Sequence, residues 1–525
     1  MYQQLRLIFA ILVISVCHTN TEAYRILSIN SSPSRSHVIV QEALAKELAR
    51  RGHHVTMVSP YPSASSLENY REITVPIVKP CAGAMASMMK DQSGWAMFMT
   101  MLSISDVFMD AMNNSINHPE VRRVIRKEKF DLIITPVIAD FVLGLTQLLD
   151  APAITVCPNS IFGYLNGVVG NPNPIATIPS PMVGLTSPMK FFDRVTNIFG
   201  WLLETFFAKY LKYTSEKFYY SNFPADQFHP YDDARKNISL LLVNQHFSKA
   251  GPRPYVPAVV EVGGLQTKSK PDPLPKDLQD WMDGAEHGVI LFSLGSNIQS
   301  SSIPGEKLDA VINTLKKLKQ RVIWKWDSPD LPNKPSNVLL RPWLPQDDIL
   351  AHKNIRLFVT HGGLGGVAEA QFHGVPLVGI PFFGDQPGNL LNVQRAGWAV
   401  VVEFTELTEQ TFTAAIKELL ENSSYTDTAR KLSKLYRDRP MTAMDTAVYW
   451  TEYVIRNKGA HHMRYSGVDL NFFQLHLLDV WAVLGSVVFL FVVIIIRVCK
   501  FCCRSCCPTN TGLSSGKKNR KVKSH

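Results

Sequence analysis

The strongest constraint on the fold is a series of short apolar runs that do not alternate with polar residues, each followed by a stretch of helical periodicity. "YRILSIN", "HHVTMVS", "DLIITPV" and "AITVCPN" form a first series. Strands of this kind are buried on both faces, as in a parallel sheet covered by helices. Between the first two runs, Ser36 to Arg51 repeats apolar residues at Val40, Leu44 and Leu48, which gives one helical stripe. A second series follows: "GVILFSLGS", "RVIWKW", "NVLLRPWL", "IRLFVT", "VPLVGIP" and "WAVVVEF". The two are separated by Gly251 to Leu278, rich in proline and charge, a composition suited to a linker. The pattern predicts an α/β protein of two doubly wound, Rossmann-like domains facing a cleft. The N-terminal domain is expected over residues 24–250 and the C-terminal one over 279–445, joined by 251–278. A helical return and juxtamembrane segment is expected over 446–479. Asn159 to Ser187 reads as a long functional loop, and the aromatic-rich stretch Met189 to Tyr220 as a helix that packs into the core or, alternatively, on acceptor or membrane.

The two ends of the chain read differently. Residues 1–23 have the layout of a secretory signal: Arg6, an apolar stretch from Leu7 to Val16, and small residues ending at Ala23. Val480 to Ile496 holds no charge, is flanked by Trp481, and fits one transmembrane helix. Residues 497–525 form a tail whose lysines and arginines carry most of the net charge of +10. A pI of 9.1 therefore describes the tail, and a nucleic-acid partner loses its support. Positive charge beside a span marks the cytosolic side, so a single-pass type I membrane protein with a lumenal body is expected. The terminal "KVKSH" has the K-x-K-x-x form of a retrieval signal for the endoplasmic reticulum. Cys499, Cys502, Cys503, Cys506 and Cys507 crowd the membrane edge, where S-acylation is expected. With Cys17 in the signal, only Cys81 and Cys157 remain for the lumenal body, which is no disulfide scaffold. Asn30, Asn113, Asn237 and Asn422 open glycosylation sequons. Asn30 is set aside because it falls beside the expected active site.

Chemistry concentrates in "LFVTHGGLGGVAEAQFHGVPLVGIPFFGDQPGN", Leu357 to Asn389. An apolar strand, a glycine turn and a helix start make an anion site, because free backbone N–H groups and the helix dipole converge there. Gly363, Gly365 and Gly366 supply that turn, and His361 at the strand end can donate to the same anion. Glu369 lies one turn into the helix, placed to accept from a ribose diol. Upstream, Trp343 can stack on a base and Gln346 can pair with its polar edge. Gly363, Gly365 and Ala368 also spell G-x-G-x-x-A, a dinucleotide fingerprint. That reading fails, because its acid should end the next strand whereas Asp385 lies beyond "FFG".

The block from Phe358 to Asn389 resembles the signature of the UDP-glycosyltransferase family. "WLPQ", "FSLGSN" and "SPSRSHVIVQEALAKELARRGHHVT" fall where that family has similar stretches. The resemblance implies a GT-B fold, with the nucleotide sugar on the C-terminal domain and the acceptor on the N-terminal one. By position, Trp343 would stack on uracil, Gln346 touch base or ribose, and Glu369 hold the ribose. Ser296 and His361 would hold the diphosphate, and Asp385 and Gln386 the sugar hydroxyls. His37 would be the base of an inverting, metal-free transfer, with no cofactor beyond the UDP-sugar co-substrate; no D-x-D pair occurs in the chain. The membrane-bound insect branch implies UDP-glucose as donor, a small lipophilic acceptor, and a role in detoxification; homo-oligomerisation stays open. Two departures stand out. The family's acid partner for His37 aligns with Pro136, so Asp140, four residues on, is taken as the partner. Gly365 and Gly366 lack the side-chain donor of relatives, which implies weaker donor binding. Both departures motivate a second reading, a catalytically weak ligand-binding or carrier protein.

Overall fold

The computed structural model describes residues 23–63, 66–78, 94–161 and 163–506. The expected signal, Cys81, Cys507 and the end of the tail lie outside them. The chain divides into a large body ending at Tyr465 and a second unit from Ser466 onward.

Two all-parallel sheets make up the body. The first contains β1 (Arg25–Ile29), β2 (His54–Ser59), β3 (Tyr70–Thr74), β4 (Leu132–Pro136), β5 (Ala153–Cys157), β6 (Ile238–Val243) and β7 (Val259–Glu261). Their spatial order is β3-β2-β1-β4-β5-β6-β7. The second contains β8 (Val289–Ser293), β9 (Arg321–Lys325), β10 (Val338–Arg341), β11 (Ile355–Thr360), β12 (Leu377–Gly379) and β13 (Ala399–Val401), in the order β10-β9-β8-β11-β12-β13. Every predicted apolar run supplies a strand. The continuous burial of β5 and β8 follows from helices on both faces.

Helix α1 (Arg35–Arg50) lays Val40, Leu44 and Leu48 against the first sheet, as its periodicity requires. Helix α2 (Gly94–Asn117) and the 32-residue α3 (Phe191–Asn222) pack together on the other face. Two expectations change here. β7 lies inside the expected linker, so the first domain's sheet extends to Glu261 and the proline-rich composition had concealed an edge strand. α3 is not chiefly core: Phe191, Phe192, Phe199 and Phe206 are exposed, with Phe192 at 78%. The long loop includes a short helix, Gly163–Val169, and reaches the second domain through Thr186, which accepts from Arg395.

In the second domain, α4 (Leu364–His373) follows β11, and α5 (Gln386–Arg395) follows β12. The chain then returns. Helix α6 (Ala443–Arg456) buries Ala447, Val448, Val454 and Ile455 in the same core cluster as α1 and the first sheet. Arg51 pairs with Asp445, and His53 contacts Glu452 at 3.2 Å. The outward and returning crossings meet at Arg439. Its guanidinium donates to Gly263 O at 2.9 Å and to Tyr436 O at 2.8 Å.

The second unit is a short lead-in and one helix, α7 (Leu478–Cys506). Leu478 to Cys503 is long and apolar enough to cross a membrane and is fully exposed. At about 1.5 Å per residue its length matches a bilayer core with margin.

Candidate active site

Each sheet reverses its strand order once, between β1 and β4 and between β8 and β11. Loops leaving the carboxyl ends of such a strand pair diverge and leave a crevice, where doubly wound folds bind ligands. His37 follows β1, and Pro136 ends β4. Ser296 follows β8, and His361 follows β11. Four of the positions singled out in the sequence thus sit at two topological switch points.

At the first, a buried glutamine fixes the helix that carries His37. Gln41 Nε2 donates to Ser28 Oγ (2.9 Å), Ile29 O (3.1 Å) and Ile134 O (3.2 Å), which ties α1 to both strands of the switch. Asn30 Nδ2 donates to Gln41 Oε1 (3.0 Å) and to His37 O (3.3 Å). Asn30 is therefore buried and committed, which closes its sequon, whereas Asn237 and Asn422 are exposed. The His37 ring lies edge-on to Phe108 at 5.6 Å and opens onto a small pocket shared with Met112, Pro136, Val137 and Ile138. Burial against this apolar wall lowers its pKa to about 4. The imidazole is neutral at pH 7 and able to accept a proton.

Asp140 is not its partner. The carboxylate accepts from Tyr231 Oη at 2.7 Å and pairs with Arg235 at 2.6 Å. Burial alone would raise its pKa, but Arg235 holds it below the ordinary value. The physical reason lies in the turn after β4: Ala139 adopts φ 77, and Asp140 opens a 3-10 turn whose residues are all buried. That turn carries Asp140 into the core. Among the described residues neither ring nitrogen of His37 has a hydrogen-bond partner.

The second switch point is built around His361. Its ring is held in a slot between two glycines: a Cβ on Gly295 would stand 2.5 Å from Cε1, and one on Gly363 would stand 2.5 Å from Nε2. Gly295 also needs its freedom, at φ +81. Gly363 is the N-cap of α4, so the slot adjoins that helix's free N–H groups. Two buried polar atoms there, His361 Nδ1 and Ser296 Oγ, have no hydrogen-bond partner among the described residues. Buried polar groups are ordinarily satisfied, so this pair marks a place for a hydrogen-bonding ligand. Burial, with the nearby Lys325, lowers the His361 pKa to about 4.

The remaining expected contacts surround this slot. Gln346 Nε2 donates to Glu369 Oε2 at 2.6 Å, so the two residues assigned to the nucleoside meet. Burial pushes the Glu369 carboxyl up to about 7. Trp343 is 42% exposed, a platform and not a core residue. Gly365 and Gly366 form the first turn of α4; Gly365 has ordinary space for a side chain, while a Cβ on Gly366 would stand 3.3 Å from Gln346 Nε2. Asp385 caps α5 and accepts from Asn389 Nδ2 at 2.9 Å; burial raises its pKa. Gln386 turns its Oε1 inward, accepting from Phe382 N at 2.9 Å and Phe383 N at 3.2 Å. Its carbonyl therefore shapes the loop.

The model of the UDP-glucoronosyl and UDP-glucosyl transferase family matches residues 25–511. The chain belongs to that family. UDP-glucosyltransferase 2 of Dactylopius coccus is 36% identical over 501 residues, covering 93% of this chain and 94% of that protein. UDP-glucuronosyltransferase 2B1 of Rattus norvegicus is 31% identical over 491 residues, 89% of this chain and 92% of that one. The glycotransferase of kitacinnamycin aligns in structure with a TM-score of 0.56 at 20% identity, over 83% of this chain and 100% of its own. The transferase has the GT-B fold, with a UDP-sugar as co-substrate and metal-independent, inverting chemistry.

Sequence patterns missed five residues of the transferase's cleft. Gln266, from the outward crossing, donates to Gly365 O (3.3 Å) and Glu369 Oε1 (3.4 Å). Asn389 joins the two donor loops by donating also to Gly362 O at 3.0 Å. Lys249 has a buried, unpartnered Nζ near Asp385 and a pKa lowered by burial to about 7. Lys325 donates to Gly295 O at 2.5 Å, and Arg35 stacks on Trp343. Only Asn389 carried a local signal, one turn beyond Asp385 in "DQPGN"; the others are brought in by tertiary packing.

Proposed function

We propose that the transferase moves glucose from UDP-glucose to a hydroxyl of small lipophilic acceptors, with His37 as general base. The observation that carries this reading is the pair of unpartnered buried atoms, His361 Nδ1 and Ser296 Oγ, beside the start of α4. A diphosphate satisfies both and complements the helix N-terminus. Trp343 then takes the uracil, Gln346 and Glu369 the nucleoside, and Asp385 and Gln386 the sugar hydroxyls. The acceptor enters the apolar cavity beside His37. Its hydroxyl gives its proton to the neutral imidazole as its oxygen bonds to the anomeric carbon. The bond from that carbon to the diphosphate breaks, and UDP leaves with the electron pair. Glucose is favoured because the 36%-identical relative is a UDP-glucosyltransferase. The body is placed in the lumen of the endoplasmic reticulum, anchored by α7, with Asn237 and Asn422 as glycan sites and detoxification as the role.

A second reading, donor binding with little turnover, draws on one observation: His37 has no carboxylate partner among the described residues. Full-chain protein in microsomes, given UDP-glucose, UDP-glucuronate and UDP-galactose with a panel of phenols, separates the readings. Transfer of glucose with inversion is expected. Transfer of glucuronate alone would overturn the choice of donor, and UDP binding without any transfer would favour the second reading.

A further inference from the structure

Arg35 opens α1, two residues before His37, yet its side chain reaches the other domain. Its guanidinium carbon lies 3.8 Å from the centroid of Trp343 and 5.6 Å from that of Tyr61. Tyr61 belongs to the first domain, where its Oη donates to Pro33 O at 2.6 Å. The arginine is thus held by an aromatic ring from each domain. Among the described residues it has no carboxylate within salt-bridge distance. Lys325 is similarly unbalanced. It lies 5.0 Å from the Trp343 ring with no salt bridge among the described residues; burial lowers its pKa to about 8, opposed by the attraction of Asp327 and reinforced by Arg35.

Two cations without a salt-bridge partner among the described residues therefore flank the platform, and Lys325 stands beside His361, whose Nδ1 is unpartnered there, as is Ser296 Oγ. Such an arrangement is unfavourable unless an anion joins it. Because Arg35 comes from the opposite domain, it covers Trp343 from the cleft side. That is the face a nucleotide lying between the domains must use.

We propose that Arg35 is a donor-binding residue contributed by the N-terminal domain: guanidinium and uracil compete for one face of Trp343, and the displaced arginine pairs with the diphosphate. A nucleoside without phosphates would have to displace Arg35 and gain nothing in return. A nucleoside diphosphate exchanges a stacking contact for a charge-assisted one, which is the stronger. Arg35 would thereby discriminate phosphorylated donors from free nucleoside. It would also draw the helix bearing His37 toward the donor only when the diphosphate is present. The inference rests on the donor-site reading given above, and its test separates the two.

Isothermal titration of detergent-solubilised full-length protein with uridine and with UDP provides that test. In Arg35→Ala the Kd for UDP should rise about tenfold, the loss of one charge-assisted hydrogen bond. The Kd for uridine should fall about two- to fivefold, as a cation–π competitor is removed. Arg35→Lys, which keeps the charge and loses the planar stack, should recover part of the UDP affinity and reports that the fold is intact. Trp343→Ala should weaken both ligands. If Trp343→Ala changes neither, the donor-site reading falls. If it weakens both while Arg35→Ala leaves the ratio of the two Kd values unchanged, or moves it the other way, the role of Arg35 falls.

Discussion

The two switch points of the transferase each present a histidine whose pKa burial lowers to about 4, and yet they are built for different work. His361 is caged by glycines and flanked by Lys325, and both its Nδ1 and Ser296 Oγ lack partners among the described residues. Its surroundings are complementary to an anion that arrives fully charged. His37 faces Phe108, Met112 and Val137, and its ring is left without a hydrogen bond. Its surroundings suit an apolar guest with one hydroxyl. In the proposed reaction the same neutral imidazole thus serves as a donor to a leaving group in one place and as a base in the other. Neighbours, not residue type, assign the role.

The largest effect should come from removing the base. His37→Ala is expected to slow transfer by about 10²- to 10⁴-fold while UDP binds as before, read by initial rates and by titration. If donor affinity fell with it, the division of labour between the two histidines would be wrong. Next is Asp140, buried against Arg235 and not against His37. Asp140→Ala leaves a buried cation uncompensated and should lower stability by about 3–5 kcal/mol, measured by denaturant unfolding, with no change in the pH profile of surviving activity.

Smaller, and confined to the donor side, is the cage. Gly295→Ala places a methyl against the His361 ring at φ +81, so the Kd for UDP should rise about ten- to a hundredfold. The smallest change restores the acid missing beside His37. In the wild type, kcat/KM should stay level from neutral pH and fall only near pH 4, where the imidazole protonates and stops accepting. A carboxylate favours the imidazolium, so Pro136→Asp should move that acid limb upward and raise the neutral-pH rate about tenfold. Fold stability is to be followed alongside. The unfolded chain binds these protons near pH 6.5 and the folded one near 4, so stability declines as pH falls through that window.

Much of this was legible in the sequence, for an identifiable reason. Apolar runs report burial on both faces, which the parallel sheets impose, and the glycine block reports a backbone that must pass close to something. Trp343, Gln346, His361 and Glu369 were singled out because each adjoins such a run. Tertiary features were not legible. β7 is three residues in a proline-rich stretch, too short for periodicity to register. The exposure of α3 was hidden because an aromatic-rich helix reads the same whether it faces core or solvent. Asp140 was misassigned because sequence distance from the β4 end says nothing of the turn at Ala139 that carries the carboxylate inward. Arg35 escaped because its partner lies in another domain, hundreds of positions away.

The crossing at Arg439 has a mechanical consequence. Two domains joined by a single strand can swivel and drift, and two joined at separated points can only rock. Here the returning chain is bonded to the outward one where Arg439 donates to Gly263 O, so both pass through one spot. That spot ties the two segments together. It fixes where the two chain segments cross, and with them the domains that carry Arg35 and Trp343.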